Sequence, residues 1–283
     1  MKNVLAGVAG WPVAHSLSPR MHGFWLQENR IAGAYVALPV RRHSLSRTLE
    51  SLQGAGFKGV NLTLPHKEAG YALAHTADAA AHACRAANLL LFQGLQIQAY
   101  NTDAEGLALS LLDSLDRKAK QIERAVILGA GGAARAAVLA CDRLSVGQVF
   151  VLNRTGVRAD TLVRTVQASV KARLSAQAWA AWQSLAPETG LLINATAAGL
   201  DGTASPQISL ERLPVGAAVC DLVYSPLETP LLSRSRASGL IAIDGLGMLM
   251  HQGALAFELL FGTRPQVSAA LRAHLEQTLH DGA

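Results

Sequence analysis

The chain has 283 residues, 50% hydrophobic and 16% charged, with a formal net charge of +5. That apolar content can build one or two packed cores, which excludes a disordered chain. Cys84, Cys141 and Cys220 are far apart and lack CxxC spacing, and no apolar run is long enough for a bilayer; a disulfide framework, a structural zinc site and a membrane-spanning protein are therefore not expected.

The first strand is read in VLAGVAG, followed by a helix over SPRMHGFWLQENR with Ser18 as its cap and Pro19 in its first position. AYVALPV is a second strand, and Ser44 to about Gln53 is helical. GVNLTL is a third strand, Ala77–Ala86 is helical, and NLLLFQGLQIQAY forms two short strands around a Gln-Gly turn. Strands separated by helices predict a mostly parallel sheet with an irregular edge.

Beyond Asp103 the pattern restarts. Leu107–Leu115 is helical, and DRKAKQIER, from Asp116 to Arg124, mixes acids with bases and reads as a solvated helix end. With the remaining basic residues scattered, a nucleic-acid partner is not expected, although the positive bias suits small anionic ligands. RAVILGAGGAARAAVLAC gives strand, glycine turn and helix. QVFVLNR, GLLINAT, AAVCDLVY and GLIAIDG are further strands, and two helices follow Gly247. With the strands exhausted, those helices are expected to return to the first domain. Residues 1–103 and 246–283 would then form one discontinuous domain around a second at 104–245.

The glycine turn carries the first functional reading. Gly129, Gly131 and Gly132 follow a strand directly and open an alanine-rich helix, with Ala130 and Ala133 between and after them. A turn without β-carbons lets backbone N–H groups approach a pyrophosphate, and the helix N-terminus adds orphan donors and a favourable dipole. The next strand ends in Asn153, Arg154 and Thr155, with Arg158 one turn later, where an acid would bind an unphosphorylated ribose. Arginine there can clasp a 2′-phosphate with fixed donors, so the expected cofactor is NADP(H).

The strand ends of the first domain are polar. Ser16 and Ser18 follow the first strand, and Asn61 and Thr63 are two apart in NLTLPHK, on one side of a strand, with Lys67 just beyond. Asn88 leads the fourth strand, and Asp103 closes NTD. Ligands of open α/β sheets bind beyond the carboxyl ends of strands, and a hydroxyl- and amide-rich set suits a small polyhydroxylated acid. Lys67 can donate the proton that a carbonyl needs on accepting hydride, with Asp103 to orient it and hold a hydroxyl. In the second domain, Asn194, Ala195, Thr196 and Ala197 of INATAAG are placed along the cofactor, joined by Val223, Gly245 and Met248. Tyr224 and Gln252 are placed on the substrate side. His15, His22, His66 and His251 show no ligand spacing, so no metal is expected.

With these residues in hand, the chain resembles the shikimate dehydrogenase family over nearly its whole length. The motifs are SLSP, NLTLPHK, NTDAEG, GAGGAARA, NRT, INATAAG, DLVYSPLETPLL and GMLMHQGALAFELLFG. The resemblance implies an α/β fold of two domains, a discontinuous N-terminal substrate-binding domain and a Rossmann-like NADP-binding domain with a parallel sheet. It also implies NADPH-dependent, reversible reduction of 3-dehydroshikimate to shikimate in aromatic amino acid biosynthesis. Lys67 and Asp103 are then the catalytic pair. Ser16, Ser18, Asn61, Thr63, Asn88, Tyr224 and Gln252 surround a small-molecule substrate. Apart from the resemblance, the lack of a bilayer-length apolar run makes a cytoplasmic protein the simplest expectation, and the composition fits a monomer or a homodimer. One stretch departs: where the family reads Gly-Ala-Val-Asn-Thr, this chain reads RAANL, with Arg85 for glycine and Leu89 for threonine. The alternatives are a quinate/shikimate dehydrogenase of relaxed substrate choice, and a catalytically idle ligand-binding module.

Overall fold

The computed structural model describes residues 3–115, 122–200 and 204–281. The chain folds into two compact units, Met1–Thr102 with Met250–Ala283, and Asp103–Leu249. Both are α/β. Most of the solvated helix end read at Asp116–Arg124 lies outside the described residues.

The first unit begins β1 (Val4–Gly10), α1 (Ser18–Glu28), β2 (Gly33–Pro39), α2 (Leu45–Gly54), β3 (Phe57–Leu62), α3 (Lys67–Leu73), β4 (Thr76–Ala77), α4 (Ala79–Cys84), β5 (Leu89–Gln93) and β6 (Gln96–Tyr100). The second holds α5 (Asp103–Leu115), β7 (Arg124–Leu128), α6 (Gly132–Arg143), β8 (Gln148–Leu152), α7 (Gly156–Val166), β9 (Arg173–Gln177), α8 (Trp182–Leu185), β10 (Leu191–Asn194), β11 (Ala218–Asp221), α9 (Pro230–Ala237) and β12 (Ile241–Ile243). The chain ends with α10 (Gly245–Phe261) and α11 (Ala269–Asp281); the division between the units falls inside α10.

In the first unit the sheet runs β2-β1-β3-β5-β6-β4. β1 pairs parallel with β2 and β3, whereas β5 is antiparallel to both β3 and β6. The continuous apolar run of β5 reflects burial on both faces. Leu90 and Phe92 join Leu45, Leu49 and Leu52 of α2, while Leu89 and Leu91 join Tyr35, Ala256 and Leu260. The tail of α10 also packs on α1, where Trp25 and Phe257 meet edge to face at 5.5 Å. Each fully buried side chain of this size contributes roughly 2–3 kcal/mol of transfer free energy.

The second sheet is wholly parallel, in the order β12-β11-β10-β7-β8-β9. The winding direction reverses between β7 and β10, which is where such sheets place a dinucleotide. Val126, Leu128, Leu192 and Val219 alternate into a core with Trp182 and Leu231. Among the described residues no helix is long and apolar enough to cross a membrane.

Several local expectations need correction. Ser18 is the first helical residue of α1 rather than its cap; Leu17 holds the cap position without a side-chain bond. β3 stops at Leu62, so Thr63 lies past the strand in the turn that leads to α3. The predicted helix Ala77–Ala86 shortens to α4, because Ala77 pairs in β4 and Arg85 turns left-handed at the helix end. Asp103 opens α5 itself, four residues before the predicted start.

Candidate active site

In the first unit the exits of β1 and β3 are stitched together. The Thr63 N–H donates to the Ala9 carbonyl at 3.0 Å, and the Trp11 N–H donates to the Leu64 carbonyl at 2.9 Å. Past β1, the half-buried Ser16 hydroxyl accepts the Ser18 N–H at 3.3 Å. Past β3, His66 is buried and Nε2 lies 2.7 Å from the Val40 carbonyl. Since a carbonyl only accepts, that nitrogen carries the proton. Lys67 then opens α3, half-buried, and its carbonyl accepts the Ala87 N–H at 2.9 Å. The lysine is thereby fixed by its backbone beside the segment that carries Asn88.

The polar strand ends are joined to one another. Asn61 Nδ2 donates to the Asn88 carbonyl at 3.0 Å, and its Oδ1 accepts the Tyr35 hydroxyl at 2.8 Å. Asn88 Nδ2 donates to Thr102 Oγ1 at 2.8 Å and to Gln252 Oε1 at 3.1 Å, and its Oδ1 accepts the Thr102 N–H at 2.8 Å. Both Asn88 donors are thus bonded within the protein. Its amide orients Thr102 and Gln252, and fixes which way the Gln252 amide faces. Asn61, Asn88 and Gln252, chosen from sequence, therefore belong to one buried network. Tyr35 and Thr102 belong to it too and were missed. Their signals were faint: a lone phenol in a strand of small residues, and the middle residue of NTD.

The two departures from the family pattern have distinct surroundings. Arg85 is exposed, at φ 46° and ψ 40° beyond the last turn of α4. Leu89 is 0% exposed and packs in the cluster that includes Val8, Val13 and Tyr35. Its side chain is core rather than an accessible wall.

In the second unit, Gly129 has φ +106°, and an added β-carbon would press on Thr196 Cγ2 at 3.0 Å and the Ala195 carbonyl oxygen at 3.1 Å. Its N–H donates to the Leu152 carbonyl at 2.8 Å. Gly131 differs. It is exposed, and a β-carbon there would meet nothing within 4 Å. It is the cap of α6 and makes no side-chain bond to the first turn. The space beside Gly131 and the uncapped N–H groups of Gly132 and Ala133 suit a pyrophosphate. Ala130 is half-buried, and Ala134 is buried where the fingerprint permits only a small residue.

At the end of β8, Asn153 Nδ2 donates to the Thr155 carbonyl at 2.9 Å. Arg154, Thr155 and Arg158 are all exposed, and Thr155 caps α7 without a side-chain bond. Two guanidinium groups and a free helix start make an electropositive turn without a carboxylate partner for a ribose hydroxyl. These residues fit a phosphorylated dinucleotide.

Past β10, Asn194 is fully buried and bonded. Its Oδ1 accepts the Thr196 hydroxyl at 2.7 Å and N–H at 3.1 Å, and its Nδ2 donates to Asp221 Oδ1 at 2.8 Å. Asp221 also accepts the Val223 N–H at 3.2 Å and, through Oδ2, the Thr229 hydroxyl at 2.7 Å. Burial raises the Asp221 carboxyl above its usual range, while the bonds from Thr229, Val223 and Asn194 oppose that shift. Asn194 therefore shapes the turn carrying Ala195, Thr196 and the exposed Ala197. Asp221 was missed, although it ends a strand just before SPLETP. Val223 and Gly245 are buried, Tyr224 and Met248 are half-buried, and Asp103 is buried at 4% exposure. The three cysteines are buried free thiols, and burial raises Cys141 and Cys220 far above the ordinary thiol range. Among the described residues no group of three His, Cys, Asp or Glu side chains is placed to hold a metal.

Comparison with known proteins agrees with this arrangement. The family model of the shikimate dehydrogenase substrate binding domain matches residues 8–90, and that of the shikimate 5′-dehydrogenase C-terminal domain matches residues 245–273. The shikimate dehydrogenase (NADP(+)) of Brucella abortus strain S19 is 44% identical over 273 residues, covering 95% of this chain and 93% of its own. The shikimate 5-dehydrogenase of Thermus thermophilus, in complex with NADP(H) and shikimate, has a TM-score of 0.82 at 36% identity, covering 99% of this chain and 100% of its own. The ligand-free 5-ketofructose reductase of Gluconobacter sp. strain CHM43 has a TM-score of 0.87 at 28% identity, covering 100% of both chains. With relatives this similar over nearly its full length, the chain belongs to the shikimate dehydrogenase family.

Proposed function

We propose that this protein catalyses the reversible NADPH-dependent reduction of 3-dehydroshikimate to shikimate, a step of aromatic amino acid biosynthesis. The observation that carries the reading is the bonded set at the strand ends of the first unit, Asn61, Asn88 and Gln252. It presents fixed amides beside Lys67. Such a set recognises a small ring rich in hydroxyls and rejects analogues that would leave its polar groups unpaired. We assign substrate binding to residues 1–103 and 246–283, and the dinucleotide to residues 104–245.

Bound NADPH supplies the hydride for this reaction. Gly129 would allow the close turn, Ala130, Gly131, Gly132 and Ala133 would offer backbone N–H groups to its pyrophosphate, and Asn153, Arg154, Thr155 and Arg158 would hold its 2′-phosphate end. Lys67 donates a proton to the ketone oxygen as that carbon becomes a secondary alcohol, and takes it back in the reverse direction. Asp103 accepts a hydrogen bond from a substrate hydroxyl. Ser16, Ser18, Thr63 and Tyr224 complete the contacts to the acid, and Asn194, Ala195, Thr196, Ala197, Val223, Gly245 and Met248 line the rest of the cofactor. The enzyme works on small molecules in the cytoplasm, as a monomer or homodimer, without nucleic acid or membrane as a partner.

The test is a purified-enzyme assay with shikimate and quinate, each with NADP and NAD, following the absorbance of the reduced nicotinamide. Shikimate with NADP is expected to give the highest kcat/KM. A preference for quinate would replace the proposed substrate, and no turnover with any pair would leave a ligand-binding module.

A further inference from the structure

β2 is an edge strand whose residues are largely exposed, yet Tyr35 within it is 7% exposed. Its ring lies flat on His22, with centroids 3.9 Å apart and planes 5° from parallel. Leu89, Ala256 and Leu260 belong to the same apolar cluster. The one polar atom of this side chain is thus brought to a chosen place by a fixed ring.

The phenol donates to Asn61 Oδ1 at 2.8 Å. A phenol has one proton, so its donor is committed to that amide oxygen. Burial holds the phenol protonated by raising its pKa well above the usual value. The Asn61 amide is also settled at its other end, because Nδ2 donates to the Asn88 carbonyl at 3.0 Å. A flipped amide would set its NH2 against the phenol proton and its oxygen against a carbonyl.

We propose that Tyr35 is a positioning residue for the acid substrate, setting the orientation of the Asn61 amide through its phenol. This rests on the reading of the first unit as the substrate site. Tyr35 itself touches neither the hydride donor nor the proton donor in this account, so its loss acts on acid binding rather than on the chemical step.

The experiment is steady-state kinetics of Tyr35→Phe, Asn61→Ala and the double variant, with thermal melting followed by circular dichroism. Phenylalanine keeps the ring on His22, so the fold is retained. Tyr35→Phe is expected to raise KM for shikimate about tenfold, the loss of one buried hydrogen bond, with kcat within about twofold. KM for NADP stays unchanged, and the melting midpoint falls by only about 2–4 °C as the Asn61 oxygen loses its partner. The double variant should match Asn61→Ala alone, because the phenol acts through that amide. If Asn61→Ala raises KM for shikimate and Tyr35→Phe does not, the role given to Tyr35 is wrong while the site stands. If neither variant moves KM, the substrate site itself is misplaced and the proposal goes with it. An equal loss in kcat, in KM for NADP and in melting midpoint would show a merely structural tyrosine.

Discussion

The polar groups at the strand ends are handled in opposite ways by the two units. In the first, three side chains assigned to substrate, Asn61, Asn88 and Gln252, are buried and already bonded into one network with Tyr35 and Thr102. In the second, the buried network of Asn194, Asp221 and Thr229 serves the backbone, and the groups assigned to the cofactor are open turns and exposed arginines. A small acid offers few atoms, so its recognition depends on side chains held within a narrow geometry. A dinucleotide offers formal charges, which backbone N–H groups and guanidinium forks can meet without a prearranged side-chain lattice.

The largest expected effect tests whether chemistry sits apart from that lattice. Lys67→Ala should lower kcat by roughly 10²–10⁴-fold, the range of a lost general acid. The half-buried side chain can be removed with the melting midpoint preserved. Full turnover in the alanine variant would take the proton-transfer role away from Lys67. On the cofactor side, Arg154→Gln should raise KM for NADP about thirtyfold, on the scale of one charge-assisted bond, and leave KM for NAD where it was. An equal change for both nicotinamides would mean that the arginine does not read the 2′-phosphate.

The contrast also governs what could be read from the sequence. β1, β7, the glycine turn and the arginine turn announce themselves because their reasons are local: an apolar run, a residue without a β-carbon, a strand end without an acid. β9, with the sequence RLSAQ, sets only a leucine and an alanine between polar residues and buries none of its side chains fully, so it exists because β8 offers it an edge to pair with. α3 has the sequence KEAGYAL, with a glycine at its centre, and was missed on propensity. Its Gly70 is buried and donates to the His66 carbonyl at 2.8 Å, so packing forms this helix where local preference would not. The catalytic and cofactor candidates were all named from motifs. Tyr35 and Asp221 were not, because their partners lie 26 and 27 residues away for Asn61 and Asn194, a separation that composition and spacing do not reveal.

Rigidity of the first unit can be probed by pH. His22 is buried, its Nδ1 has no hydrogen-bond partner, and burial lowers its pKa from 6.5 to about 3. The unfolded chain binds this proton below about pH 6.5 while the folded chain does not, so stability is present above that value and lost as pH falls toward 3. Between pH 7 and 5 the loss from this group is about 2 kcal/mol. Urea unfolding at both values should show it, and His22→Phe, which keeps a ring against Tyr35, should flatten the dependence by that amount. An equal slope in the variant would assign the acid sensitivity to other groups.

The smallest effect concerns the departure at RAANL. Arg85 adopts φ 46°, ψ 40° just past α4, a left-handed conformation that places a β-carbon against its own carbonyl and that glycine adopts freely. The glycine of the family pattern therefore answers a backbone demand at this position, and arginine satisfies it under strain. The exposed side chain makes the substitution tolerable, since nothing buried has to move. Arg85→Gly should relieve the strain and lose part of the gain to a freer unfolded chain, leaving a net stabilisation of about 0.5–1 kcal/mol. Kinetic constants for acid and cofactor should not change. A rise in KM for shikimate would show that the arginine reaches the substrate, and a loss of stability would mean that its side chain contributes more than its backbone costs. The neighbouring Leu89 obeys the opposite rule. It is 0% exposed within the Tyr35 cluster, so its replacement by the family's threonine would trade apolar burial for a hydroxyl in the core. One departure is thus a surface residue in a glycine's conformation, and the other a core residue in a polar residue's place.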